Sequence, residues 1–119
     1  MDWKLDDGRP IWPQLSQQLA RRIIAGEYPP GSRLPSVREL AAEAGVNPNT
    51  MQRALAQLEQ EGLARADRTA GRLVTQDTAA LEAARLREAQ AVIRSYFEAM
   101  SALGYDRERA VELLKEEFQ

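Results

Sequence analysis

The chain has 119 residues and a formal net charge of −2, and it contains neither cysteine nor histidine. This length accommodates one compact domain with a small appendage, but not a large separate ligand-binding domain. The missing side chains exclude disulfides, thiolate nucleophiles, the usual zinc ligands and histidine-based proton transfer, so we predict no catalytic residues, no metal site and no cofactor.

The sequence also lacks the features of a membrane or secreted protein. No run approaches the roughly 18 apolar residues that a membrane span needs. The first residues contain no cationic region followed by an apolar run, as a secretory signal would. We therefore expect a soluble, cytoplasmic protein with no membrane partner.

Charge is unevenly distributed along the chain. Residues 1–76 contain ten Lys or Arg against nine Asp or Glu, whereas residues 77–119 contain six against nine. The acidic total argues against nucleic-acid binding, for which a basic domain is usual. A nearly neutral front part can still bind phosphate if its arginines share one face.

The chain begins with an arm and a helix. Trp3 and Leu5 alternate with polar neighbours, which predicts a short strand or an extended arm without an assigned role. A first helix is predicted from Pro10 to Ala25 because its apolar residues recur at helical spacing, and Gly26 ends it. A turn-rich connector then leads to a brief extended piece at residues 33–35.

Two short capped helices follow. Ser36 and Glu39 form a capping box, so one helix begins at Val37 and ends at Gly45. Asn47 precedes a proline at the first helical position and opens another helix that runs to about residue 61. The predicted buried faces consist of Val37, Leu40, Ala41 and Ala44 in the first helix and of Met51, Ala54, Leu55 and Leu58 in the second. Two such helices joined by a short glycine-containing turn are typical of a helix-turn-helix.

A hairpin and a helical tail complete the predicted fold. Extended segments at 63–67 and 72–75 flank a turn at 68–71, which forms a wing. Beyond Thr78, apolar residues recur at the spacing of a helix–helix seam, and Asp106 can cap a last helix with an apolar face at Val111, Leu114 and Phe118. The sequence thus predicts a mostly α fold with a small β wing: a winged helix-turn-helix at 1–76 and a C-terminal helical hairpin at 77–119.

The seam of the tail predicts a homodimer. Two short helices cover only part of each other, and a strongly apolar stripe is unfavourable in water, so a second copy is expected to cover it through the C-terminal helices. The alternative is that the stripe packs back onto the first helix of its own chain. The residues predicted to form the dimer contact are Leu86, Ala89, Ile93, Tyr96, Phe97, Met100 and Leu103.

The free face of the helix after Asn47 carries groups that can read DNA bases. Asn and Gln can pair with adenine, Arg can bind guanine through two hydrogen bonds, and Thr can contact either polar or methyl groups. An ordinary solvated face would also be polar, but it would usually contain Lys and Glu pairs, and residues 46–57 contain no acid. Near this face, one arginine of the preceding helix and several residues of the wing are candidates for phosphate or base contacts. The predicted DNA-binding residues are Arg38, Asn47, Asn49, Thr50, Gln52, Arg53, Arg68, Thr69, Gly71 and Arg72.

Three runs within roughly residues 10–75 resemble the DNA-binding domain of GntR-type regulators. They are LPSVRELA at 34–41, GVNPNTMQRAL at 45–55 and LEQEGL at 58–63. The tail of about 45 residues is similar to that of the short-tailed YtrA-like branch. This resemblance implies that the wing around residues 69–71 contacts DNA, together with Arg38, Asn47, Asn49, Thr50, Gln52 and Arg53. Long-tailed members have arginines where this chain has Pro48 and Gln52, so their base preference does not transfer.

The resemblance also implies how such a protein acts. It implies a bacterial homodimer that binds a palindromic double-stranded DNA operator and usually represses a neighbouring operon. The sequence does not identify a small-molecule effector. Two other functions remain open: a winged-helix module that binds protein or RNA instead of DNA, and a small carboxylate enzyme, which would need Glu39, Glu43 and Glu59 to converge in a cleft.

Overall fold

The computed structural model describes residues 2–119 and forms two compact units, one ending at Arg85 and the other beginning at Leu86. The helices and strands in chain order are α1 (Ile11–Ile24), α2 (Val37–Ala44), α3 (Pro48–Gln60), β1 (Ala64–Asp67), β2 (Gly71–Val74), α4 (Thr78–Ala102) and α5 (Arg107–Glu117). This order confirms the predicted fold class. No helix within residues 2–119 is both long and apolar enough to cross a membrane.

One hydrophobic core joins α1, α2 and α3 in the first unit. The helices bury Leu15, Leu19 and Ile23 from α1, Leu40 and Ala41 from α2, and Met51, Ala54, Leu55 and Leu58 from α3. The predicted face of α3 is confirmed at all four positions, whereas Val37 and Ala44 at the two ends of α2 are only half-buried. Each fully buried leucine contributes about 1.5–3 kcal/mol to the free energy of unfolding, so this core orients the two short helices firmly.

The predicted caps fix where α2 and α3 begin. The backbone amide of Glu39 donates to Ser36 Oγ at 3.1 Å, and the amide of Ser36 donates to Glu39 Oε1 at 3.2 Å. Gly45 ends α2 with a φ of 71°, a left-handed conformation that is costly for residues with a Cβ. Asn47 then caps α3 by accepting from the amide of Asn49 at 2.8 Å. The tight turn of the helix-turn-helix therefore follows from local residue chemistry.

The wing contains more backbone pairing than the sequence indicated. β1 and β2 pair antiparallel, with Ala64 opposite Val74 and Asp67 opposite Gly71. The extended piece before α2 adds to the other edge of β2, because the amide of Leu34 donates to the Arg72 carbonyl at 2.9 Å and the amide of Val74 donates to the Ser32 carbonyl at 2.8 Å. The wing is thereby attached to the segment that leads into α2.

The N-terminal arm lies along α1 and forms no strand. The side-chain amide of Gln14 bonds both the amide and the carbonyl of Asp6, at 2.7 and 2.9 Å. Gln18 does the same for Lys4, at 3.0 and 2.7 Å. Gln14 and Gln18 are four helical residues apart, a rise of about 6.0 Å, and Asp6 and Lys4 are two extended residues apart, a distance of about 6.6 Å. Because these two spacings are similar, the two glutamines can bond alternate residues of the arm.

A buried arginine joins the arm to the helix-turn-helix. Arg22 in α1 is 6% exposed, and its guanidinium carbon lies 3.9 Å from the ring centre of Trp3. Glu43 of α2 accepts from Arg22 Nη1 at 3.3 Å and from Trp3 Nε1 at 3.1 Å. The three side chains form one contact between the arm, α1 and α2, and they give the N-terminal residues a structural role that the sequence did not reveal.

The second unit contains most of α4, from Leu86 onward, and all of α5. The hydroxyl of Tyr96 donates to the Ala110 carbonyl at 2.7 Å, and Ala110 is fully buried. Of the predicted apolar face of α5, only Val111 is partly covered, while Leu114 and Phe118 are exposed. The reason is that Tyr96 approaches α5 at a small alanine, which places that side of the helix, and not the side with Phe118, against α4.

Candidate nucleic-acid interface

The outward face of α3 is exposed and polar, as predicted. Asn49, Gln52 and Arg53 are exposed, and Thr50 at the edge of the face is half-buried. They face away from the buried stripe because successive helical residues turn by about 100°, which separates positions 49, 52 and 53 from positions 51, 54, 55 and 58. The side-chain amides of Asn49 and Gln52 have no hydrogen-bond partner within residues 2–119. Their donors and acceptors are therefore available to a ligand.

Asn47 is only partly available at the start of this face. Its side-chain oxygen accepts from the amide of Asn49 and is committed to the cap. Its amide nitrogen has no such role in the described part of the chain. Asn47 can thus donate to a ligand through its amide nitrogen, while the cap already uses one of the two lone pairs of its side-chain oxygen.

Arg53 is ordered by an aromatic ring and not by a carboxylate. Its guanidinium carbon lies 4.6 Å from the ring centre of Trp12, near the start of α1. No hydrogen bond or ion pair engages its N–H groups among the residues that the structure describes. The charge of Arg53 is therefore not neutralised within the first unit.

Arg38 lies in the first turn of α2, where backbone amides point out of the helix. The side chain is exposed, and no carboxylate of the described chain pairs with it. The adjacent Glu39 is turned back to the cap, and the hydrogen bond from the Ser36 amide lowers the pKa of its carboxyl. Arg38 is therefore positioned to contact a phosphate group beside the start of the helix.

The wing tip is closed by an aspartate. Asp67 Oδ1 accepts from the amides of Thr69 and Ala70 at 2.9 and 3.0 Å, and also from the Thr69 hydroxyl. The amide of Ala70, followed by that of Thr69, lowers the pKa of the Asp67 carboxyl. Gly71 has a φ of 84°, and a Cβ added there would meet nothing within 4 Å. The glycine therefore serves the turn and leaves an open backbone surface next to it.

The two predicted arginines of the wing differ in their surroundings. Arg68 is exposed and has no ion-pair partner in the described part of the chain. Arg72 is bonded to Glu59 at the end of α3, with 2.5 Å between Nε and Oε1, and only 18% of its side chain is exposed. Arg68 is thus free to contact phosphate, while Arg72 first of all links the wing to α3. The sequence contained no signal for this pair because the partners lie thirteen positions apart.

The wing and the start of α2 border a common groove. The groove has a volume of about 360 Å³ and is lined by residues on both sides. These residues are Arg33, Leu34, Pro35, Ser36, Val37, Ala66, Gly71 and Arg72. The structure therefore brings the wing together with the helix that carries Arg38. Arg33 was not among the predicted site residues, although it is exposed on this groove.

The carboxylates that an enzymatic function would need do not converge. Glu39 belongs to the α2 cap, Glu43 to the contact with Arg22, and Glu59 to the pair with Arg72. Residues 2–119 contain no group of acidic side chains arranged to hold a metal ion. The geometry of the three predicted candidates therefore gives no support to a carboxylate active site.

The predicted dimer residues fall into two groups. Leu86, Ala89, Ile93 and Leu103 are exposed, whereas Tyr96, Phe97 and Met100 are half-buried. The rings of Tyr96 and Phe97 meet edge to face, with 5.4 Å between their centres. Part of the seam therefore packs inside the hairpin, and the apolar surface that remains uncovered lies mostly before Tyr96.

Comparison with known proteins shows similarity over most of the chain. The family model described as "Bacterial regulatory proteins, gntR family" matches residues 13–74. The HTH-type transcriptional regulator YhcF of Bacillus subtilis is 30% identical over 115 residues, which cover 97% of this chain and 95% of that protein. A GntR family transcriptional regulator from Listeria monocytogenes, a solved structure, matches with a TM-score of 0.81 and 34% identity and covers 94% of this chain and 98% of its own.

A further relative shares a shorter region. The HTH-type transcriptional repressor YtrA of Bacillus subtilis is 40% identical over 68 residues, which cover 57% of this chain and 52% of that protein. All three named relatives are transcriptional regulators and not enzymes.

Proposed function

Since this chain belongs to the GntR family of bacterial regulatory proteins and is a transcriptional regulator with a DNA-binding domain, we propose that it acts as a homodimeric repressor on a palindromic operator. In this proposal α3 enters the major groove of double-stranded DNA. The N-terminus of α2 and the wing contact the flanking phosphates. The tail joins two copies.

The observation that carries the proposal is the outward face of α3. Asn49, Gln52 and Arg53 are exposed together, and no carboxylate in the described chain neutralises the arginine. Amide side chains and a free guanidinium are the groups that distinguish base pairs in the major groove. A good contact of this kind discriminates against a wrong base by about 1–3 kcal/mol.

Phosphate contacts supply the part of the affinity that does not depend on sequence. Arg38 lies at the amide end of α2, and Arg68 lies exposed at the wing tip. Both cations can bind backbone phosphates, and a groove lies between the start of α2 and the wing. Binding through these groups should weaken as salt concentration rises, because bound counterions are released from the DNA.

The homodimer is supported by the apolar surface of α4. Leu86, Val92 and Ile93 of α4, and Leu103 just beyond its end, are each more than half exposed, and exposed apolar surface of this kind favours a protein contact. A second copy related by a twofold axis would cover this surface with the same surface of its own. Such pairing places the two α3 helices about 34–36 Å apart, or a multiple of this, and requires an inverted repeat in the operator.

The proposal that the protein represses transcription, and does not activate it, is supported by a relative. YtrA of Bacillus subtilis is described as a repressor, and this chain shares 40% identity with it over 68 residues. A repressor needs only to occupy its operator, which a DNA-binding domain of this kind can do. We place its site of action in the cytoplasm, where a bacterial chromosome is accessible.

The second candidate function is a winged-helix module that binds protein or RNA. The net charge of −2 favours it, since DNA-binding domains are usually basic. The two functions differ in what should bind the outward face of α3. A direct binding experiment with duplex DNA therefore distinguishes between them.

A gel shift with the promoter of the protein's own operon tests the proposal. The full chain should bind the duplex with an affinity that falls steeply between low and moderate salt. Arg53→Ala should weaken binding by about tenfold to hundredfold. Arg87→Ala, which removes the same charge from an exposed position of α4, is the matched control and should bind as the unmodified chain does. Absence of a shift at any salt concentration would support the protein or RNA module instead.

A further inference from the structure

Trp12 lies outside the hydrophobic core but contacts the exposed arginine of α3. Its neighbour Ile11 packs against the core, as do Trp3 and Leu5 of the arm, whereas Trp12 does not belong to that cluster. The indole is half-buried, and its ring centre is 4.6 Å from the guanidinium carbon of Arg53. A large aromatic side chain at this place therefore calls for an explanation other than core packing.

The kind of contact matters for what Arg53 can do. A carboxylate partner binds the N–H groups of a guanidinium and neutralises its charge, as Glu59 does with Arg72. An aromatic ring attracts the cation through its π face and offers no carboxylate oxygen to the N–H groups, so their hydrogen-bonding capacity remains for another acceptor. Trp12 can thus restrict the motion of Arg53 without occupying the groups that would bind a base.

The sequence around Trp12 fixes its position. Pro10 is the N-cap of α1, and Pro13 lies in the first turn, so the start of this helix is conformationally restricted. Leu15 of α1 and Leu55 of α3 are both fully buried in the shared core, which sets how the two helices meet. Trp12 is therefore presented to α3 from a rigid element, as a positioning group requires.

We propose that Trp12 is a positioning residue for DNA recognition, which holds the guanidinium of Arg53 ready for base contact before DNA arrives. The proposal rests on the function proposed above, because it gives Arg53 a base to read. It differs from a structural role for Trp12 in one respect. The effect of replacing Trp12 must pass through Arg53.

A double-mutant cycle on operator binding tests this dependence. The full-length unmodified chain, Trp12→Leu, Arg53→Ala and the double variant are titrated with the promoter duplex that shifts in the experiment above. Trp12→Leu keeps apolar bulk but removes the aromatic face, and it should weaken binding by about threefold to thirtyfold. In the Arg53→Ala background the same replacement should have almost no further effect.

Two more measurements separate positioning from folding. Trp12→Phe keeps an aromatic face and should recover most of the lost affinity. The base pair that Arg53 reads is the one whose substitution no longer affects binding of Arg53→Ala. Trp12→Leu should also discriminate less at this base pair. The thermal unfolding midpoint of Trp12→Leu should stay close to that of the unmodified chain. If Trp12 had only a structural role, its replacement would lower the thermal unfolding midpoint and would weaken binding to all DNA sequences equally.

The proposal is overturned if the losses from Trp12→Leu and Arg53→Ala add, or if Trp12→Leu binds as the unmodified chain does. Either result would leave the regulator function intact, because the unmodified chain would still bind the duplex. Failure of the unmodified chain to bind any duplex would instead contradict the proposed function itself. The two failures are therefore distinguishable within one set of titrations.

Discussion

Arg72 of β2 and Glu59 of α3 form an ion pair with 2.5 Å between Nε and Oε1, and this pair joins the wing to the end of the helix whose outward face is exposed. Both side chains are largely covered, with 18% and 32% of their surfaces exposed. The contact therefore fixes the wing relative to α3 by a means other than backbone pairing.

We expect the two partners to be coupled in stability. Arg72→Ala and Glu59→Ala should each lower the free energy of unfolding by about 1 kcal/mol, and the double variant should lose little more than either. Chemical unfolding monitored by circular dichroism gives the free energy of unfolding of the unmodified chain, the two single variants and the double variant. Arg68→Ala is the control, since Arg68 is exposed on the same wing and should weaken DNA binding without changing stability. Additive losses from the pair would show that the contact does not contribute.

The carboxylate at the wing tip predicts a pH dependence. Hydrogen bonds from the amides of Ala70 and Thr69 lower the pKa of Asp67, so the unfolded chain binds the proton more tightly than the folded chain. The stabilisation is fully present above the pKa of the unfolded state, near 4, and is lost as the pH falls through the lower pKa of the folded state.

Asp67→Asn isolates this effect, because it keeps an oxygen acceptor in the turn but removes the charge. The difference in unfolding free energy between the unmodified chain and Asp67→Asn should favour the unmodified chain at pH 7. It should shrink as the pH falls toward 3 in parallel urea unfolding experiments. Asp6 and Glu39 titrate equally in both proteins, so their contributions cancel. A difference that does not change with pH would contradict the assignment.

The exposed apolar stripe of α4, which includes Leu86, Val92 and Ile93, predicts a dimer. Ile93→Glu should convert the dimer to a monomer in sedimentation equilibrium, because a charge in an apolar contact is costly to bury. Operator affinity should fall in parallel, since one DNA-binding domain contacts only half of an inverted repeat. Ser95→Glu adds the same charge at an exposed position away from the stripe and should leave the dimer intact. A monomeric unmodified chain would refute the predicted contact.

The sequence predicted those features that arise from neighbouring residues. The capping box of Ser36 and Glu39 and the pair Asn47 and Pro48 act over three positions or fewer, so their spacing alone located the starts of α2 and α3. The buried stripe of α3 followed in the same way from helical periodicity. These local signals were enough to position the outward face that we assign to DNA.

Contacts between distant residues were not predictable in this way. The pairing of residues 32–34 with β2, the bonds from Gln14 and Gln18 to the arm, and the contact of Trp12 with Arg53 each join parts of the chain that have no common sequence pattern. Their partners become neighbours only when the core assembles. The sequence could therefore name Arg53 and Arg72 as candidates, but it could not show that Arg53 lies over an aromatic ring and that Arg72 is paired with an acid.

Selection of binding sites from random duplex DNA determines whether the outward face of α3 reads DNA sequence. The full chain should enrich an inverted repeat whose half-sites lie about 10–10.5 base pairs apart, or a multiple of this. A variant with Asn49→Ala and Gln52→Ala should keep the spacing but lose base preference at the same positions in both half-sites. If the unmodified chain enriches no sequence, or if the variant enriches the same consensus, the outward face of α3 does not read DNA sequence.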